Sequence, residues 1–402
     1  MSTYETDGGM SWAPTWTQAM ADFRGEDDEP PFDDVTVRMT VPASLGGDAV
    51  RVELSNRFGD EPVHVARGAI GVGGRFVEIA FNGQRPVEIP AGESRWTDPV
   101  ELSVRHSDEI VVDLYLPDPT PYATANGFRY DRSEPGDFAG SGEFPLEGSA
   151  LAEVDTSREF PAVNTGAKAE PDGTGWSLPA GGPFLRTIEV AGDAAAVVVC
   201  VGSSSTVMGW PQYAAALLPA DARIAILNRG IAGNRIRLDA PQPTPSWGRS
   251  GLSRFDEDVL RTHGVSDVVI GYTSNDWGLP GRVTPSDEMP TVGQMIDAYQ
   301  ELIDRAQAAG LGVILATVTP LQPELAVDPD LEAIRLALND WIRSSGHPFA
   351  DFDAVIRSED EPPRIRAEYA APDGDHPNVN GEKCLAQTLV DTISGLGLPH
   401  RR

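Results

Sequence analysis

The stretch V-V-V-C-V-G-S-S-S-T-V-M-G, Val197 to Gly209, decides the fold of the chain. Val197, Val198, Val199, Cys200 and Val201 form an apolar run with no polar interruption, which predicts a fully buried, parallel strand rather than a half-solvated one. The strand ends at Gly202 and three serines, and Trp210 to Leu218 read as a helix. A strand that turns through Gly-Ser into a helix presents a hydroxyl at the carboxyl edge of a sheet, beside backbone N–H donors that suit a developing oxyanion. The same turn suits a phosphate-binding loop or a plain serine-rich connection, and this stretch alone leaves the three open.

Downstream of it, strand-like and helix-like segments alternate. Strands are expected at Ile224–Leu227, Val268–Ile270 and Val313–Thr317, and helices at Leu252–Arg261, Val292–Ala309, Leu331–Ser344 and after Asn380. The helix from Val292 carries Met295, Tyr299, Leu302, Ile303 and Ala306 on one stripe and is closed by Gly310. Such alternation predicts an α/β domain with a parallel sheet. Ligands of such sheets sit beyond the carboxyl ends of the strands. The loops after Val201, Leu227, Ile270 and Thr317, and the one before the last helix, are therefore the informative ones.

Upstream, the period changes to two. Val35, Val37, Met39 and Val41 alternate with Thr36, Arg38 and Thr40, and Val50, Val52 and Leu54 alternate with Arg51, Glu53 and Ser55. Phe76–Phe81 and Ile110–Leu116 continue the series, with turns at Leu45–Asp48 and Asn82-Gly83. This predicts an antiparallel β-sandwich, jelly-roll-like, ahead of the α/β domain. Gly25–Asp34 reads as an acidic surface loop, and Gly148–Gly182 as a linker or long surface excursion. The expected division is a sandwich over residues 1–186 and an α/β domain over 187–402.

The chain has 402 residues and a net charge of -30, which argues against nucleic acid or an anionic membrane surface as partner. Cys200 and Cys384, its two cysteines, read as small core residues, not as a disulfide framework or a metal site. No uninterrupted apolar window long enough for a membrane span occurs. Met1–Met20 lack a basic start and an apolar middle, so a cytoplasmic location is expected if Met1 is the native start. Oligomeric state is not legible.

The informative loops carry complementary chemistry. They offer Ser203-Ser204-Ser205, then Asn228-Arg229-Gly230-Ile231-Ala232-Gly233-Asn234, then Thr273-Ser274-Asn275-Asp276, and finally Asp373-Gly374-Asp375-His376-Pro377-Asn378. A serine nucleophile needs a base, the base an orienting group, and the oxyanion N–H donors. All four types are present, in loops that an α/β sheet gathers at one edge.

In this order, G-S-S-S-T, N-R-G-I-A-G-N, T-S-N-D and D-G-D-H-P-N resemble the sequence blocks of the SGNH (GDSL) hydrolases, which implies a three-layer α/β/α, flavodoxin-like domain. The amino-terminal half resembles the β-sandwich that precedes the hydrolase domain in one subgroup, through Trp12–Trp16, V-R-V-E-L-S-N-R-F-G (Val50–Gly59) and I-P-A-G-E (Ile89–Glu93). The resemblance implies Ser204 as nucleophile, His376 as general base and Asp373 as its orienting carboxylate. It implies an oxyanion hole from the backbone N–H of Ser204 with Gly233 and Asn275. It further implies carboxylic esters as substrates, an acyl-enzyme on Ser204, and no metal or organic cofactor. One position departs: Ser203 stands where the family usually has aspartate.

Other roles stay open. An acyltransferase would move an acyl group from a thioester carrier to the hydroxyl of a small-molecule acceptor through the same acyl-enzyme. A catalytically decayed, carbohydrate-binding protein is the reading from another class. Asp375 rivals Asp373 as orienter. Asp351 and Asp353 suggest a solvated acidic loop or a metal site. Arg229 and Arg235 suggest surface ion pairs or the recognition of an acidic substrate.

Overall fold

The apolar run becomes strand Ala196–Gly202, buried at every residue. The computed structural model describes residues 11–25, 31–126, 130–147, 181–242 and 244–398. Half of the Gly25–Asp34 loop, residues 26–30, and nearly all of the Gly148–Gly182 stretch lie outside them.

Five parallel strands form one sheet in the spatial order Ile224–Gly230, Ala196–Gly202, Asp267–Gly271, Gly312–Ala316, Phe349–Ala350. Numbered along the chain this is 2-1-3-4-5, the flavodoxin-like arrangement, whose direction of progression reverses between the first and third strands. Alternation within one strand feeds two cores. Ala196, Val198 and Cys200 pack with helices Trp210–Leu217, Phe352–Ile356 and Val379–Gly395. Val197, Val199 and Val201 face the other way, towards Val292–Ala308 and Pro329–Ser344. Each fully buried valine stabilises the fold by roughly 1.5–3 kcal/mol, so the strand tolerates no charge on either face.

The helix Val292–Ala308 shows how local chemistry sets a boundary. Thr291 and Gln294 form a reciprocal capping box at its start. At its end Gly310 takes φ +80°, and Leu311 N–H returns to the Ala306 carbonyl at 2.9 Å. The expected helix Leu252–Arg261 differs: a helical turn over Gly251–Phe255 widens so that Arg261 N–H bonds the Asp256 carbonyl five residues back.

The amino-terminal half contains two five-stranded antiparallel sheets. One runs Trp12–Thr17, Leu185–Ala191, Gly47–Ser55, Val100–Val104, with Ser94–Trp96 also paired to Gly47–Ser55. The other runs Asp131–Arg132, Val35–Pro42, Glu109–Leu116, Arg67–Val72, Arg75–Glu78. The inward residues of the alternation, Val37, Met39, Val41, Val50, Val52 and Leu54, share one core with Ile110, Val112 and Leu114. Asn82 and Gly83 take φ +50° and +75°, the paired positive values that a tight hairpin turn of mirror-image type requires.

The chain crosses from the antiparallel to the parallel sheet between Ala191 and Ala196. Strand Trp12–Thr17 then lies along Ile224–Gly230, the edge strand of the parallel sheet. Outward-facing backbone groups of that edge find partners in the amino-terminal half. Ile226 N–H donates to Ser44 Oγ at 2.8 Å, the Asn228 carbonyl accepts from Thr17 Oγ1 at 3.3 Å, and the Gly230 carbonyl accepts from Asn126 Nδ2 at 2.7 Å. An exposed strand edge is thereby closed.

Candidate active site

Ser204 begins the helical turn Ser204–Val207 directly after its strand. As a first-turn residue, its backbone N–H has no intrahelical acceptor. Gly202 must be glycine here, because a Cβ would run into Thr206 Oγ1 and the Gly271 carbonyl. The site lies at the carboxyl ends of the first and third parallel strands, where the sheet order reverses.

His376 reaches this point from the loop before the last helix. Its Nε2 lies 2.8 Å from Ser204 Oγ and its Nδ1 lies 2.6 Å from Asp373 Oδ2. The His376 and Asp375 backbone N–H groups donate to Asp373 Oδ1 at 3.2 and 3.1 Å, fixing that carboxylate. An ionised carboxylate only accepts, so Nδ1 carries the proton and Nε2 is left to accept from the serine hydroxyl. Asp375 Oδ2 is 3.8 Å from Nδ1, too far for a hydrogen bond but close enough to act through its charge.

Burial pulls the His376 pKa down, but Asp375 and Asp373 together outweigh it, and the imidazole titrates above its ordinary value. Burial likewise pushes Asp373 up, and its bonds to His376 reverse that, holding the carboxyl below its ordinary value. Asp373, Asp375 and His376 also bring three candidate metal-ligand atoms within 4.8 Å of one another. Both ring nitrogens are already engaged, so a metal at Nδ1 would have to displace the 2.6 Å bond to Asp373.

The other two motif residues sit on neighbouring loops. Gly233 is buried with φ +70°, and a Cβ there would strike the Trp247 ring, so both backbone conformation and space demand glycine. Asn275 opens the helical turn Asn275–Gly278, and its Nδ2 donates to the Asn234 carbonyl at 3.0 Å, next to Gly233.

Residues 192–384 match the model of the GDSL-like Lipase/Acylhydrolase family. The carboxyl-terminal half is a GDSL-like lipase/acylhydrolase domain. The chain is accordingly an enzyme of the serine-esterase kind. No curated protein matches it. Similar solved structures include a GDSL-like lipase from Bacteroides thetaiotaomicron, 20% identical, covering 50% of this chain and 89% of that one with a TM-score of 0.37. A carbohydrate acetylesterase from Sinorhizobium meliloti is 16% identical, over 50% of this chain and 99% of that one, TM-score 0.38. An acetylxylan esterase from Geobacillus stearothermophilus is 21% identical, over 50% and 94%, TM-score 0.39.

Ser203, the departure in the GDSL domain, is fully buried and ties two loops together. Its Oγ lies 2.6 Å from Thr273 Oγ1 and accepts from Thr273 N–H at 3.2 Å. Three further residues brace the GDSL loops: Arg254, which no motif contains, and Asp276 and Asn228, which belong to the motifs but have no role assigned by sequence. Arg254, buried and paired with Asp258, donates to the Gly202 and Arg229 carbonyls and to Asn234 Oδ1. Asp276 accepts from Ile236 and Arg237 N–H at 2.7 and 3.1 Å; burial lifts its pKa to about 6 against those two bonds. Asn228 Nδ2 donates to the Thr206 carbonyl at 2.8 Å, holding the serine turn from the next strand.

Two expectations are corrected. Asp351 and Asp353 form neither a solvated loop nor an open metal site. Asp353 is fully buried and ion-paired with Arg335, Arg343 and Arg357, and Asp351 pairs with Arg343. Arg229 and Arg235 are buried, not on the surface: Arg235 pairs with Glu288, and Arg229 Nη1 donates to the Gln18 carbonyl. Strand alternation explains the second case, since Asn228 faces the serine turn and its neighbour Arg229 must face away from it.

Proposed function

We propose that the protein hydrolyses carboxylic esters of small molecules through an acyl-enzyme on Ser204. The observation that carries this reading is the unbroken hydrogen-bonded line Asp373–His376–Ser204 at the reversal point of the parallel sheet. Neutral His376 takes the Ser204 proton at Nε2 as Oγ attacks the ester carbonyl. Asp373 stabilises the imidazolium and fixes its tautomer. The oxyanion is held by the backbone N–H of Ser204, the backbone N–H of Gly233 and the side-chain amide of Asn275. Nε2–H then passes its proton to the departing alkoxide as the C–O bond breaks. Water repeats the sequence on the acyl-enzyme, releasing acid and restoring Ser204. Every proton is accounted for by these groups, and no step calls for a metal or organic cofactor.

The test is intact-protein mass spectrometry after exposure to activated esters and acyl-thioesters, with Ser204→Ala as control and candidate alcohols added in parallel. Acylation at one equivalent that vanishes in Ser204→Ala, with free acid as product, is expected. Ester product outrunning free acid when an alcohol is present would move the reading to an acyltransferase. A folded wild type that takes no acyl group and resists a fluorophosphonate would leave a binding protein.

A further inference from the structure

Away from Ser204, a cavity of about 170 Å³ lies where strand Leu185–Ala191 and Trp96 of the amino-terminal half face the GDSL domain. Arg57, Arg186, Arg229 and Arg261 line it, together with Glu53, Glu189 and Glu257. The carboxylates are all taken. Glu53 binds Arg186 at 2.8 Å, Glu257 contacts Arg57 and lies 3.5 Å from Arg186, and Glu189 pairs with Arg51 at 2.6 Å and with His263 at 3.1 Å.

Arg229 and Arg261 ion-pair with no carboxylate among the described residues. Arg261 is exposed at the rim, whereas Arg229 is 2% exposed. Arg229 Nη1 is spent on the Gln18 carbonyl, and its Nε has no acceptor among the described residues. Taking a guanidinium out of water without a counter-charge is costly. A charge buried in this way is best explained by a ligand that completes it.

We propose that this cavity is a binding site for a small oxyanion, a phosphate or carboxylate group, held by Arg229 at its floor and Arg261 at its mouth. The planar guanidinium offers paired N–H donors that match such an anion. Burial and the neighbouring Arg186 push the Arg229 pKa down to about 10, with the unbonded charges of Asp258 and Glu53 offsetting only part of the fall, and the group stays charged at neutral pH. The net charge of -30 repels anions from the molecule as a whole, and loss of the saturable shift in the Arg261 and Arg229 variants separates this cluster from the oxyanion site at Ser204. An oxyanion here would also join the two halves, because the lining comes from both.

The experiment is thermal unfolding of the full chain in inorganic phosphate, sodium acetate and sodium chloride at matched ionic strength. Phosphate or acetate is expected to raise Tm with a saturable dependence that chloride lacks. Whichever of the two does so identifies the anion class. Arg261→Ala should weaken the apparent affinity about tenfold, as expected for loss of one charge-assisted hydrogen bond, and Arg229→Gln should abolish it. If Arg229→Gln does not fold, Arg261→Ala decides alone. Equal shifts with all three salts would overturn the proposal, as would a saturable shift that survives both substitutions.

Discussion

Asn126 donates a 2.7 Å hydrogen bond from the amino-terminal half to the carbonyl of Gly230, three residues before Gly233. Both partners are buried, so the bond joins the antiparallel sheets to the loop proposed to hold the oxyanion. Asn126→Ala leaves a buried carbonyl without a donor, at about 1–3 kcal/mol. The expected result is a lower Tm with kcat reduced more than KM is raised, while Ser204 still acylates to one equivalent. Steady-state kinetics beside a melting curve will show it; unchanged kcat would mean that the bond only joins the halves.

Asp373 and Asp375 should separate cleanly. Asp373→Asn removes the acceptor that fixes Nδ1–H, and kcat should fall by about 10³–10⁴. Asp375→Asn removes only a charge 3.8 Å away, so the rate at its optimum should hold. The raised pKa means that His376 stays protonated, and inactive as a base, to a pH above its ordinary titration. Activity in the wild type therefore climbs with pH through that raised value. Without Asp375 the imidazolium loses support, its pKa drops, and the acid limb of kcat/KM moves to lower pH. An acid limb that stays in place would show that Asp375 exerts no field on the base.

Asn275→Ala should lower kcat by about 10²–10³ with little change in KM, because an oxyanion donor acts mainly in the transition state. Its Nδ2 also bonds the Asn234 carbonyl, so the melting temperature must be read alongside. A kcat within a few fold of wild type at unchanged Tm would remove Asn275 from the oxyanion hole.

Arg254→Met breaks a buried ion pair and frees two loop carbonyls at once. Leaving Asp258 uncompensated should cost about 3–5 kcal/mol. The paired change Arg254→Met with Asp258→Leu should recover much of the Tm but not kcat, because Gly202, Arg229 and Asn234 remain unheld. Full recovery of kcat in the double variant would show that Arg254 serves stability alone.

The legible part of the molecule is the part whose signal is local. Val197–Val201 has no polar residue, and a strand buried on both faces is the one structure that uses it. Two of the four loop motifs bring Ser204, Asp373 and His376 to a common point because one follows a strand and the other precedes a helix whose place the alternation fixes. Strand Leu185–Ala191 was not anticipated: Arg186, Thr187 and Glu189 break its apolar pattern, yet Thr187 is buried on Glu53 and Glu189 on His263 of the other half. Arg254 and Asn126 were invisible for a related reason. Each is a single polar residue that acts on a loop carbonyl far away in sequence, Arg254 on Gly202 and Asn126 on Gly230, and nothing beside it marks that contact.

Strand Leu185–Ala191 sits between Trp12–Thr17 and Gly47–Ser55, so the interior of that sheet is written after both of its flanks. A nascent chain cannot zip this sheet until residue 191 has left the ribosome, by which time the serine strand is only a few residues behind. The amino-terminal half thus closes only as the chain enters the parallel sheet, whose remaining strands run on to Ala350. A truncation at residue 184 yields two unmated strand edges prone to self-association instead of a self-sufficient module.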